Sequence, residues 1–260
     1  MFQKKWIPSF GLVPVMAALR AHIEDRRLGD EPRADLRRWY CSSVFLERYS
    51  GAVETKSRRD FGELTRFWEA TGRRPSIRAE ADARIGASGS GVRDNASYAS
   101  AVYSGVFCLF AIGGARDWAA TEAIELQELD DHHIFPRNYL TKRGFDANRD
   151  KAAINSIVNR TLISHATNKL ISDTAPAHYL KDHKVFPRPP EVLLPAHFVD
   201  AVGLRAMQEG EPSLAAEAAK AAYERFAVAR EAAIVSEIRR ACGVTVSDVA
   251  PEVAEALDDE

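Results

Sequence analysis

The sequence predicts a mainly helical protein with a small β element embedded in it. Apolar residues recur at spacings of three and four through most of the chain, and proline or glycine separates the resulting segments. One stretch differs, because residues 124–129, Ile-Glu-Leu-Gln-Glu-Leu, follow the period-two pattern of apolar and polar side chains that indicates a half-buried strand. A second short β-type run covers residues 161–164. The two runs predict a pair of strands within an otherwise helical chain.

Length and composition fit one large domain or two small ones. The chain has 260 residues, and 46% of them are apolar, which is enough to build a buried core. A net charge of -2 gives no global sign of a nucleic-acid partner. The cysteines Cys41, Cys108 and Cys242 have neither zinc-site nor disulfide-framework spacing, and this pattern favours a reducing cytoplasm.

No membrane partner is expected from the sequence. The apolar run at the N-terminus is interrupted by Pro8, Gly11 and Pro14, and no small-residue cleavage pattern follows it. The apolar run over residues 99–113 is too short to cross a bilayer as a helix.

The helices can be placed approximately from their apolar stripes and end signals. Before the strands, we expect a helix over residues 12–23, a second capped by Asp35 and a third capped by Asp60. Residues 87–91 read as a flexible loop, and a fourth helix should start at Asn95 or Ser97. After the strands, we expect a short helix over residues 198–207 and a long one that Ser213 caps and Gly243 ends.

Two stretches carry the chemistry. The first is Asp130-Asp131-His132-His133-Ile134-Phe135-Pro136, and the second runs from Asn159 to Asn168. Neighbouring side chains of a strand point to opposite faces, but a distorted end or a bulge can turn both imidazoles toward one cleft. One ring can then hold a metal while the other takes a proton. The alternative is a plain pair of buried histidines.

The order of these residues resembles that of the HNH endonucleases. The resemblance implies a ββα-metal core in which His132 binds a metal and His133 is the general base. It also implies that Asn159 braces the loop and that Asn168 binds the metal from the start of a helix. The string His-Ile-Phe-Pro with Tyr139-Leu140, and the later Pro-Ala-His-Tyr-Leu of residues 176–180, resemble more narrowly the GmrSD-type restriction proteins.

The third metal ligand is where the chain departs from the family pattern. Members often carry a further ligand four residues after the helix asparagine, but this position is Ser172 here, with Asp173 beside it. Asp130 matches an acid that some members use as a ligand and is the candidate. Asp131 is the alternative, as a ligand or as a partner that orients an imidazole. An acid, a histidine and an amide predict Mg²⁺ or Mn²⁺.

Other polar residues near the two stretches are expected to have simpler roles. Basic residues outnumber acids between residues 134 and 170, which predicts a local face for phosphates. Arg137, Arg160 and Lys169 are the candidate DNA contacts, although an ordinary solvated loop would have the same composition. His165 and His178 are expected to be structural.

The resemblance also implies a domain organisation and a biological setting. A helical domain would cover residues 1–120, and the nuclease core would cover residues 121–185. Residues 186–260 would form a helical C-terminal region that packs on these two parts. GmrSD-type proteins normally carry an upstream ParB-like, nucleotide-dependent domain, and no P-loop string occurs here. We therefore expect the chain to correspond to the C-terminal half of such a protein, with the upstream domain as a partner.

The expected function is metal-dependent nicking or cleavage of DNA in bacterial defence against foreign or modified DNA. Two alternatives stay open from the sequence. One is a non-catalytic DNA-binding or interaction module with an HNH-like fold, which the loss of a ligand at Ser172 favours. The other is an RNase-type toxin.

Overall fold

Helices dominate the structure, as the sequence predicts. A computed structural model describes residues 6–97, 99–120, 128–211, 213 and 215–244, without the side chains of residues 88–90. The five helices before the sheet are α1 (Leu12–Asp25), α2 (Asp30–Phe45), α3 (Val53–Trp68), α4 (Ser76–Ser88) and α5 (Ala101–Ile112). The first of them buries a stripe of apolar residues at spacings of three and four: Leu12, Val15, Leu19 and Ile23.

Two aspartates that were predicted to cap helices lie inside them instead. Helix α2 already begins at Asp30. Asp30 and Glu31 lie in its first turn, where their negative charge interacts favourably with the helix dipole. Asp35 is buried within α2 and accepts hydrogen bonds from Arg38, Trp68 and Arg78.

Asp60 is likewise buried within α3, where it accepts hydrogen bonds from Trp39, Arg48 and Tyr49. Both predictions of a cap were wrong because the side chains of these acids satisfy buried donors from other segments. A buried carboxylate needs such partners more than a helix end needs a cap.

The predicted loop over residues 87–91 is also wrong. Helix α4 continues into a 3₁₀-helix, Gly89–Asp94, so the backbone stays helical through the glycines. The apolar stripe Ile77, Ala81 and Ile85 is buried and is extended by buried Val92. Packing along this stripe therefore outweighs the preference of glycine for loops. Helix α5 starts later than predicted, after Ser100, whose hydroxyl accepts a hydrogen bond from the Tyr103 amide.

The described sheet has two antiparallel strands, β1 (Leu129–His133) and β2 (Arg160–Ser164). Most of the predicted first strand, residues 124–127, lies outside the described residues. Two short helices and a 3₁₀-helix connect the strands: α6 (Arg137–Lys142), α7 (Lys151–Asn155) and Ile157–Asn159. Helix α8 (His165–Ile171) follows β2 directly, so the order is strand, strand, helix.

The remaining helices enclose this unit. They are α9 (Pro176–Tyr179), α10 (Pro190–Leu193), a 3₁₀-helix (Leu194–His197), α11 (Ala201–Gln208) and α12 (Ala216–Cys242). Asp200 caps α11, and Gly243 ends α12 with φ +66°, as predicted for glycine there. Ser213 does not cap α12, which begins after Ala215.

Buried apolar residues from the N-terminal helices, the sheet region and α12 form one cluster. The proposed domain boundaries stay a prediction. Among the described residues, no helix combines the length and the hydropathy that crossing a membrane requires.

Candidate active site

The two strands pair regularly along their whole length. Leu129 lies opposite Ser164 and His133 lies opposite Arg160, with each residue between them paired in step and no bulge in this register. Successive residues therefore alternate between the faces of the sheet. Asp131 and His133 share one face, while Asp130 and His132 share the other. The distortion that would bring both imidazoles into one cleft is not present in the paired residues.

Asn159 ties the end of β1 to the start of β2. Its side chain is fully buried; the amide oxygen accepts a hydrogen bond from the Phe135 amide at 2.8 Å, and the amide nitrogen donates to the carbonyls of Phe135 and Ile154. The Asn159 carbonyl also accepts from the Ile134 amide. These contacts are the ones that a loop-bracing asparagine would make.

Helix α8 is fixed at its start by two polar residues. The Ser164 hydroxyl caps the helix by accepting from the Thr167 amide, and buried Asp117 accepts from the Ser164 amide and from the Thr167 hydroxyl, both at 2.6 Å. The helix thus begins at His165, before Asn168 and not at it, which corrects the predicted start.

A pocket of about 180 Å³ lies between the end of β1 and helix α8. Its wall is formed by His133, Pro136, Arg137, Asn138, Asn168, Ser172 and Asp173. The proposed base and the proposed helix ligand therefore face one space. In the described part of the chain, neither Asp130 nor His132 belongs to this wall.

His133 is held among polar groups in a half-buried position. Its Nε2 lies 3.1 Å from Oδ1 of Asn155, and the same oxygen accepts from Nη2 of Arg160 at 2.9 Å. Burial and the nearby Arg160 charge lower the pKa of His133 to about 4. The ring is therefore neutral at cellular pH and can accept a proton.

His132 has a ring nitrogen to which the described residues offer no hydrogen bond. Its Nε2 is buried and has no hydrogen-bond partner among the described residues. Burial lowers the pKa of His132, and this effect is opposed by Asp130 and Asp131. A neutral imidazole with an unsatisfied buried nitrogen suits a divalent cation, as does the neutral oxygen of Asn168.

The two candidate acids differ in their surroundings. Asp131 is 8% exposed; its carboxylate accepts from the Tyr103 hydroxyl at 2.6 Å and pairs with Arg160 at 3.2 Å. The Asp131 carboxylate is therefore engaged by protein groups inside the fold. Asp130 is exposed and accepts from the Asp131 amide through one oxygen.

No three His, Cys, Asp or Glu side chains of the described residues come together as a metal site. The proposed set of Asp130, His132 and Asn168 contains only two such residues and depends on an amide for the third. It stays a prediction.

The candidate DNA contacts are unequally placed. Arg137 and Lys169 are exposed, and Arg137 also lines the pocket. The Arg160 side chain is only 15% exposed and is engaged with Asp131 and Asn155, so its described contacts are structural. The role of all three in binding phosphate stays a prediction.

Sequence reasoning missed the residues that support the site from outside the two motifs. Tyr103, Asp117 and Asn155 each contact a motif residue, but they come from a helix, a loop and the insertion between the strands. Only Asn155 lies close in sequence to a motif residue, since it precedes Asn159 by four residues, about one helical turn.

Comparison with known proteins leaves the family open. No family model matches the chain, and no solved structure matches it. An uncharacterized protein of Methanocaldococcus jannaschii is 28% identical over 246 residues, which cover 90% of this chain. The match covers 41% of that relative, so the chain spans about two fifths of its length.

Proposed function

We propose that the protein is a metal-dependent HNH-type endonuclease that nicks or cleaves DNA. The observation that carries the proposal is the strand–strand–helix order that brings His133 and Asn168 to the wall of one pocket. Asn159 supports it, since its buried amide fixes the backbone between the two strands.

Hydrolysis of a phosphodiester needs an activated water and a means to neutralise negative charge. His133 would take the proton of the attacking water, because it lies in the pocket wall and its ring is neutral at cellular pH, although a pKa lowered to about 4 also makes the ring a weaker base. Asn168 would hold Mg²⁺ or Mn²⁺ together with His132 and Asp130, and the end of β1 would have to turn these two residues toward the pocket, because they lie on the other face of the strand from His133. A bound ion would supply charge stabilisation at the scissile phosphate and at the leaving oxygen. Exposed Arg137 and Lys169 would contact neighbouring phosphates.

The setting follows from the resemblance to GmrSD-type restriction proteins. The substrate would be foreign or modified DNA, and an upstream ParB-like domain would supply nucleotide-dependent control. A longer relative, of which this chain matches two fifths, is compatible with a further domain in such proteins. The site of action would be the cytoplasm.

One observation favours a second candidate, a non-catalytic nucleic-acid-binding module. Ser172, a poor metal ligand, lines the pocket where family members carry a further ligand. Retention of both His132 and His133 favours the enzyme.

The first prediction tests the enzyme directly. The purified chain is incubated with supercoiled plasmid and Mg²⁺ or Mn²⁺, with and without EDTA, and with a structured RNA in parallel. We expect EDTA-sensitive conversion of the plasmid to open-circular or linear DNA. His133→Ala should reduce the rate by about 10²–10⁴-fold, because it removes the proton acceptor.

His183→Ala is the matched control, since His183 is an exposed histidine outside the pocket wall. Cleavage by His133→Ala within about threefold of the wild type would remove this residue from the role. Cleavage of the RNA alone would favour the RNase alternative, and binding without cleavage of either would favour the non-catalytic module.

A further inference from the structure

Asn155 has an amide whose orientation is fixed by three neighbours. Its Nδ2 donates to the Lys151 carbonyl at 3.0 Å, and its Oδ1 accepts from Nη2 of Arg160 at 2.9 Å. A flipped amide would bring NH₂ against the Arg160 donor and an oxygen against a carbonyl oxygen. The hydrogen-bond pattern therefore admits one orientation, with the oxygen toward Arg160 and His133.

This orientation decides where a neutral His133 carries its proton. Nε2 of His133 lies 3.1 Å from the same Asn155 oxygen, which can only accept. A hydrogen bond between them requires a proton on Nε2. Nδ1 of the neutral ring is then the nitrogen with the free lone pair.

The Asn155 amide is in turn held by a series of hydrogen bonds that extends to helix α5. Arg160, which donates to Asn155, pairs with the Asp131 carboxylate at 3.2 Å. Asp131 accepts from the Tyr103 hydroxyl of α5 at 2.6 Å. Tyr103 and Asp131 are both buried, so this series of hydrogen bonds ends inside the core of the protein.

We propose that Asn155 is a positioning residue that fixes His133 in the Nε2–H tautomer and leaves Nδ1 as the proton-accepting atom. The assignment of Nδ1 as the atom that takes the proton from water rests on the proposed nuclease function. The assignment of the tautomer does not, because it follows from the hydrogen bonds alone.

The test reads the tautomer by NMR on the full chain labelled with ¹⁵N-histidine. Two-bond and three-bond correlations to the ring nitrogens distinguish the Nε2–H form from the Nδ1–H form, and His133→Gln identifies the signal. We expect His133 to be in the Nε2–H form in the wild-type protein. Asn155→Ala should yield a mixture of tautomers because Nε2 loses its acceptor.

Asn155→Asp is the variant that keeps the acceptor, since one carboxylate oxygen still accepts from both Arg160 and Nε2 and should preserve the wild-type tautomer, while the other oxygen replaces the donor to the Lys151 carbonyl. Asn148→Ala, which changes an exposed asparagine of the preceding loop, is the control for a general effect of mutation. An Nδ1–H signal in the wild type would overturn the proposal without any variant being needed. A wild-type signal retained in Asn155→Ala would also overturn it.

Plasmid cleavage separates this proposal from the proposed function. Asn155→Ala should lower kcat by roughly tenfold, as for loss of one orienting hydrogen bond, with KM nearly unchanged and recovery in Asn155→Asp. The NMR experiment could give the expected tautomers while the wild-type protein cleaves neither DNA nor RNA. This result would support the role of Asn155 in positioning His133 and would overturn the nuclease assignment.

Discussion

Single amide and carboxylate groups determine how the site is held together. Asn159 is the clearest example, because one buried side chain satisfies the Phe135 amide, the Phe135 carbonyl and the Ile154 carbonyl at once. Phe135 lies just after β1, and Ile154 lies in α7, which precedes β2. Their common partner makes the spacing of β1 and β2 depend on one residue.

We therefore predict that Asn159→Ala lowers the free energy of unfolding by about 2–4 kcal/mol, since buried polar groups lose their partner. Urea denaturation of the full chain measures it. Asn148→Ala, at an exposed asparagine, should change the free energy of unfolding by less than about 0.5 kcal/mol. Equal values for the two variants would contradict a bracing role for Asn159.

Residue type alone does not reveal what a buried polar residue will contact. Asp35 and Asp60 have the sequence context of helix caps, yet each is used as a buried acceptor for arginine and aromatic donors. Their partners come from distant parts of the chain, and no local pattern encodes such pairings. The residues with a local signature, such as the His132–His133 pair and Asn159, could be singled out from the sequence.

At the scale of elements, helix α8 ends at a residue with an unusual backbone conformation, one turn after a proposed metal ligand. Ser172 has φ +50° and ψ -121°, in a region that L-residues adopt at a cost and glycine adopts freely. Its amide donates to the Asn168 carbonyl at 2.8 Å, so it ends the helix one turn after the proposed ligand.

Replacing Ser172 by glycine thus separates its two potential roles. If Ser172 only ends the helix, Ser172→Gly should leave Mg²⁺-dependent cleavage unchanged and raise the free energy of unfolding by up to about 1 kcal/mol. Asp130→Ala should instead weaken Mg²⁺ binding and cleavage, because it removes the exposed carboxylate of the proposed set.

Calorimetric titration with Mg²⁺ and the plasmid assay provide the two measurements. A loss of Mg²⁺ affinity in Ser172→Gly, with Asp130→Ala unaffected, would reverse the assignment of the third ligand. Both variants keep the pair between Lys142 and Asp173, a residue of the pocket wall, whose atoms are 2.6 Å apart.

Helices could be predicted more reliably than their boundaries. The apolar stripes of α1 and α12 fix their position in sequence, and the predicted Gly243 end of α12 is confirmed. The glycines of residues 87–91 were misleading, because the helical backbone continues through them under the influence of packing at Ile85 and Val92. Tertiary contacts of this kind outweigh local propensity.

At the scale of the whole molecule, α12 connects the segments around the site through Arg230. This side chain is fully buried, donates to the carbonyls of Val158 and His197, and lies over the Phe110 ring. Burial lowers the pKa of Arg230 to about 9. None of these partners is near Arg230 in sequence, so the arrangement could not be predicted from the amphipathic pattern of the helix.

His197 lies at the same junction, and we expect it to make the stability of the fold depend on acid. Its ring is fully buried, with Nε2 donating to the Arg116 carbonyl at 2.8 Å and Nδ1 lying 2.6 Å from the Thr161 hydroxyl of β2. Because a carbonyl can only accept, the neutral ring carries its proton on Nε2. Burial, aided by the Arg230 charge, lowers the pKa of His197 from 6.5 to about 3.

The lowered pKa of His197 determines the direction in which the free energy of unfolding changes with pH. Between pH 6.5 and 3, the unfolded chain binds a proton at His197 that the folded chain does not bind. The free energy of unfolding should therefore fall as the pH falls below 6.5, with His197 contributing up to about 1.4 kcal/mol per pH unit. His197→Gln, which keeps one donor and one acceptor, should be less stable at pH 7 and should show a shallower acid dependence.

Urea denaturation of the wild type and of His197→Gln at pH 5, 6 and 7 measures this difference. His132 and His133, whose pKa values are also lowered, are present in both proteins, so the difference between the slopes isolates His197. His183→Gln, at an exposed histidine, should retain the wild-type slope. If His197→Gln also keeps that slope, the protonation of His197 is not what couples acid to unfolding.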